Sequence, residues 1–104
     1  MRRTTAREEI RRAYAALEAA GLVLGHRVLA YRVSALGVGQ AFRGRVESLD
    51  SEVTVRFDRA KWSDAFRVGD RVKVLHPGRH AVEAVVVSAA HGKLVLVLLK
   101  EEER

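Results

Sequence analysis

The chain has 104 residues, no Cys and a formal net charge of +6. That length holds one domain with a single small core and excludes two, while the missing Cys excludes a disulfide scaffold and thiolate chemistry. No apolar run approaches a membrane span, and the opening MRRTTAREEIRR lacks the apolar stretch of a signal peptide, so a cytoplasmic protein without membrane insertion is expected.

The positive charge is carried mainly by Arg. Such a surface attracts phosphate and other anions without reading sequence; the plainer reading is a solvated surface of Arg paired with Glu. Asn is absent and Gln and Met occur once each, which points to a heat-adapted source because these residues are thermally labile.

In chain order, Thr5 and Glu8 form a capping-box pattern. Ile10, Ala13, Tyr14, Leu17 and Ala20 then recur at helical spacing as far as Gly21, a left-handed stop, so a helix is expected over 5–20. Its narrow, Ala-rich face is suited to docking on its own domain, with a contact between subunits as the alternative. Residues 26–33 (HRVLAYRV) read as the first strand. Either Val28 and Ala30 or Leu29, Tyr31 and Val33 face the core, and the larger second set is preferred. Residues 34–41 (SALGVGQA) read as a mobile loop; the Gly-x-Gly in it has no third Gly and no helix after it, so it is no phosphate loop.

The clearest signal is 42–57, FRGRVESLDSEVTVRF. Phe42, Gly44 and Val46 alternate with Arg43, Arg45 and Glu47, and Val53, Val55 and Phe57 alternate with Thr54 and Arg56, around a turn at 49–52. This is a β-hairpin with one wet face. A connection containing Trp62 and Phe66 follows, then a Val68-Gly69-Asp70 turn into a strand at 71–75, a turn at 76–79, a strand at 81–88 and a turn at 91–93. The last strand, 94–99 (LVLVLL), is apolar on both faces and so must be covered on both, by the barrel and the helix or by another subunit. Residues 100–104 are a charged tail. One helix and six strands joined by hairpin turns make a mainly β domain, a small antiparallel barrel over 22–99 whose closure removes exposed edges.

No catalytic constellation is visible, and a non-enzyme is expected. His26, His76, His80 and His91 lie near turns or strand ends; Pro77 and Gly78 separate His76 from His80, no further ligand is near them, and no metal is expected. Ser48, Ser51 and Ser88 lack a nucleophile motif. Trp62 either stacks on a ligand or plugs one barrel end with Phe66, and the plug is preferred.

The order GHRVLAYRV, FRGRVESLDSEVTVRF, FRVGDRVKVL, HAVEAVVVS and GKLVLVLL resembles the PilZ family of six-stranded barrels and the related N-terminal barrel of flagellar-brake proteins. The resemblance covers about 22–99 and implies a signalling or protein-interaction domain. PilZ domains that bind cyclic di-GMP use R-x-x-x-R and D/N-x-S-x-x-G motifs. Arg3 and Arg7 form R-x-x-x-R (RTTAR) but beside the expected helix, far from the hairpin in sequence; at the barrel the nearest positions are Arg27 and Arg32, one residue too far apart, and Asp50 and Ser51, adjacent and without the following Gly. The resemblance therefore implies the barrel, with degenerate ligand motifs and no cofactor. The expected partner is a protein, or a second copy bound through the N-terminal helix or the 94–99 strand. A contact surface is expected at Arg43, Arg45, Arg56 and Trp62. The alternatives are a nucleic-acid-binding barrel of Sm or SH3 type, since FRGRVESLD is similar to the first Sm motif, and a cyclic di-GMP receptor with atypical motifs. A phosphate-binding role predicts Arg43, Arg45, Arg56 and Arg71 on one outer face.

Overall fold

The computed structural model describes residues 21–77 and 81–99; the expected helix over 5–20 and the charged tail over 100–104 lie outside the described residues. The strands are β1 (Arg27–Ser34), β2 (Gly37–Val38), β3 (Phe42–Leu49), β4 (Val53–Phe57), β5 (Arg71–Leu75), β6 (Ala81–Ala90) and β7 (Lys93–Leu98), with a 3₁₀ helix at Ala60–Ala65 between β4 and β5. The sheet order is β2-β1-β3-β4-β7-β6-β5, and β5 pairs back onto β1. Every pairing is antiparallel. Six strands thus close a barrel and β2 is an addition to it. It arises in the segment expected to be a loop, where Gly37 adopts a positive φ of 122° and Val33 pairs with Val38.

Alternation decides which side chains fill the barrel. Val46, Leu49, Val53, Val55 and Phe57 of the β3–β4 hairpin are buried, as are Val72 and Val74 of β5, Ala84 and Val86 of β6 and Leu94 and Leu96 of β7. On β1 the buried residues are Val28 and Ala30, while Leu29, Tyr31 and Val33 stay half-buried outside. This reverses the face expected from side-chain size. The interior of a six-stranded barrel is narrow, and Ala30 lies between Phe42 of β3 and Val74 of β5, where a small residue leaves room for the aromatic ring. On β7 the outer face is incompletely covered: Val97 is 38% exposed and Leu99, just beyond the strand, 36%.

Gly44 shows how close β3 and β4 lie. A Cβ there would sit 2.6 Å from the Arg56 carbonyl oxygen and 3.0 Å from Val55 Cγ1. Two residues further along, the register shifts between Val46 and Ser48, a bulge that sharpens the local bend.

One barrel end is closed by aromatic rings. Phe57 and Phe66 stack with centroids 5.4 Å apart, and Phe42 meets Phe66 at 5.7 Å and Trp62 at 5.5 Å. The 3₁₀ helix that carries Trp62 is fastened by Ser63, which is fully buried. Its hydroxyl donates to the Ala60 carbonyl (3.1 Å) and accepts from the Gly92 N–H (3.0 Å) in the β6–β7 turn. That turn takes positive φ at both His91 (56°) and Gly92 (81°), the type I′ geometry that suits a two-residue hairpin. Ser63→Ala leaves a buried N–H without a partner, and the expected cost is about 1–3 kcal/mol. Urea titration of S63A beside the exposed control S34A measures it; equal midpoints would remove Ser63 as a fastener.

Candidate functional site, a basic row across four strands

The outward positions of the hairpin carry charge, and the register fixes what they face. Arg27 of β1 is the direct partner of Arg45 on β3, Arg45 that of Arg56 on β4, and Arg56 that of Lys93 on β7. Four cations therefore stand side by side across four adjacent strands. At an inter-strand spacing of about 4.8 Å the row is about 14 Å long. Like charges placed directly opposite one another destabilise a sheet, so a fold shaped only for stability does not favour the arrangement.

A single carboxylate moderates it. Glu47, at the bulge, accepts from Arg56 through both Nε and Nη2 at 3.0 Å and lies 3.5 Å from Lys93 Nζ. The hydrogen bond from Arg56 is the main reason its carboxyl titrates below the ordinary 4.5; partial desolvation opposes this, and the charges of Arg56 and Lys93 add to it. Because the folded-state pKa is depressed, the stability Glu47 contributes is present above the unfolded value and is lost as pH falls through the lower folded one. Glu47→Gln is expected to remove that acid-side loss, read as the shape of thermal midpoint against pH below 4.5. An unchanged acid limb would show that the contact has no weight in solution.

Arg45 also donates from Nη1 to the Gly25 carbonyl at 3.1 Å, which holds the guanidinium over the chain entering β1. Among the described residues no carboxylate lies within ion-pair distance of Arg27 or Arg45. The row thus keeps an excess of positive charge, facing solvent.

The other expected residues distribute differently. Arg43 is on the same hairpin face but paired with Asp58 at 3.3 Å. Arg71 lies on β5, two strands from β3, paired with Glu83 at 3.8 Å, and does not join the row. Trp62 packs on Phe42, with the Arg59 guanidinium carbon 5.9 Å from its ring centroid, and belongs to the aromatic plug. Arg27 and Arg32 stand five residues apart on β1, about 17 Å along the strand. Arg32 is at the plug end, 3.5 Å from Asp70, while Asp50 and Ser51 form the exposed β3–β4 turn at the opposite end. Arg27, Arg32, Asp50 and Ser51 therefore do not converge. Arg32 instead lines an open groove of ≈ 350 Å³ with Ser34, Gly37, Gly39, Phe42 and Phe66.

Sequence reasoning missed Arg27 and Lys93 as neighbours of the hairpin arginines. Both flank strands whose partners follow from barrel order alone, and only the register brings them alongside. None of the described helices is long and apolar enough to cross a membrane. No family model, curated protein or solved structure matches the chain.

Proposed function

We propose that the protein is a non-catalytic interaction barrel of the PilZ-like kind, which docks an acidic protein partner on the outer face of β1, β3, β4 and β7. The observation that carries this reading is the row Arg27–Arg45–Arg56–Lys93, four cations in direct register with one carboxylate among them. Guanidinium groups suit such a role because their planar forks take carboxylates in two parallel hydrogen bonds. The closed six-strand antiparallel barrel and the Gly69 turn, at a φ of 94°, agree with what the PilZ resemblance implies.

A nucleic-acid backbone is the second reading, since phosphate would be attracted by the same row. It has less support. Single-strand binders usually stack bases on aromatic rings beside the basic track, whereas Trp62, Phe42, Phe57 and Phe66 are packed together at the barrel end. Cyclic di-GMP has less again, with Arg27 and Arg32 about 17 Å apart along β1.

Fluorescence anisotropy with labelled poly-glutamate and with a labelled single-stranded oligonucleotide, each across a salt series, separates the readings. Tighter, salt-sensitive binding of the polypeptide supports the acidic-partner reading. Tighter binding of the oligonucleotide with a steep salt slope would replace it by the nucleic-acid one, and no salt-sensitive binding of either would end both.

A further inference from the structure

The histidines at the other end of the barrel carry a separate arrangement. His26 immediately precedes β1 and His76 immediately follows β5, the two strands whose pairing closes the barrel. Each continues the inward-facing parity of its strand, set by Val28 and Ala30 on one and Val72 and Val74 on the other, so the rings meet across the seam. His26 Nδ1 lies 2.8 Å from His76 Nε2, with ring centroids 5.0 Å apart. The second nitrogen of His76, Nδ1, is 2.9 Å from the Pro77 carbonyl oxygen, which can only accept. In the neutral ring Nδ1 of His76 is therefore the nitrogen that carries the proton, and its Nε2 presents a lone pair to His26.

We propose that His26 and His76 form a two-imidazole site for a divalent first-row transition-metal ion, zinc or nickel in type, at the closing seam of the barrel. Metal-binding histidines characteristically donate their second N–H to a backbone carbonyl, which fixes the tautomer and the ring, and His76 has that support in Pro77. Two nitrogens bound to one tetrahedral ion at about 2.05 Å stand about 3.3 Å apart. The pair reaches this by opening about half an ångström as His26 changes tautomer: its Nδ1 gives up the proton of the His26–His76 hydrogen bond to solvent, its Nε2 takes one up, and the neutral ring offers the freed Nδ1 lone pair to the metal. Among the described residues no third candidate ligand joins them, which leaves the remaining positions of the ion open to water. Imidazole without carboxylate selects zinc, nickel or copper over calcium and magnesium. The ion would link two strands far apart in sequence and act as a clip on the closed barrel.

The test uses the full chain with zinc chloride or nickel chloride alone, magnesium chloride as the ionic control, and the variants H26A, H76A and H91A. Calorimetric titration is expected to give one ion per chain for the parent and H91A, with affinity about 100-fold lower in H26A and in H76A, because each retains one of two linked ligands. With free ion at about 100-fold its dissociation constant, the thermal midpoint of the parent should rise by about 10 °C. Magnesium should leave it unmoved. Binding of equal affinity in H26A or H76A, no binding to the parent, or binding lost in H91A alone would overturn the assignment. Nuclear magnetic resonance of the ring protons supplies an arm independent of stability: shifts or broadening confined to His26 and His76 support the site, and shifts at other histidines only refute it.

Discussion

The variant R45E is expected to bind poly-glutamate about 10–100-fold more weakly than the parent, the low end of what breaking a close interfacial charge pair costs, and to fold at least as stably. The two halves of this result come from the same geometry. Arg45 lies between Arg27 and Arg56 in the row, so a carboxylate at its place removes two like-charge contacts and makes two opposite-charge ones. Cross-strand pairs of this kind contribute roughly 0.2–1 kcal/mol each, which offsets the lost hydrogen bond to the Gly25 carbonyl. Removal of the carboxylate should act in the other direction: E47Q frees Arg56 and Lys93 and is expected to tighten binding at low salt. Anisotropy across a salt series reads both variants, and thermal melting reports the fold. Undiminished binding by R45E in a folded protein would remove the row as the docking surface.

Gly44→Ala should destabilise the barrel by about 1–3 kcal/mol, as overpacking of a well-filled site does, and Gly44→Val by more. A Cβ at this position meets the Arg56 carbonyl oxygen at 2.6 Å, so main chain rather than a flexible side chain must give way. The strain is transmitted to β4, and with it to Arg56, so binding to the row should weaken along with stability. Gly39 is the control, since a Cβ there has Arg32 Cβ as its nearest neighbour at 3.7 Å, an ordinary contact. Urea midpoints for G44A, G44V and G39A measure the series. Equal midpoints for G44A and G39A would show that the β3–β4 approach is looser than described.

Much of the barrel is legible from alternation. The hairpin of β3 and β4, the Val68-Gly69-Asp70 turn and the His91-Gly92 turn follow from residues whose local chemistry has one good answer: alternating Val and Arg for a half-wet strand, Gly where φ is positive. The face of β1 did not follow, because both sets of alternate residues are apolar and what separates them is the room beside Phe42, a property of closure. β2 has only two residues and gives no periodicity to read. The basic row was half legible. Arg45 and Arg56 face each other within one hairpin, whereas Arg27 and Lys93 come alongside through pairings between strands distant in sequence. The histidine pair is invisible on the same ground. Spacing drew attention to His76 and His80, and it is the β1–β5 seam that gives His76 its neighbour, fifty residues away.

The closure of the sheet also limits how any partner can bind. Many small β domains capture an extended peptide by adding it as a further strand to an open edge, with main-chain hydrogen bonds as the source of affinity. Here β5 returns to β1, and among the described strands the only one with a single pairing neighbour is β2, two residues long. An edge of that length offers too few N–H and C=O groups to template another strand, which also protects the protein from edge-to-edge aggregation. An acidic partner of the kind proposed would therefore meet the described strands through side chains on the barrel wall or at its ends, and peptides that differ in backbone shape but share a spacing of carboxylates should compete for the same surface.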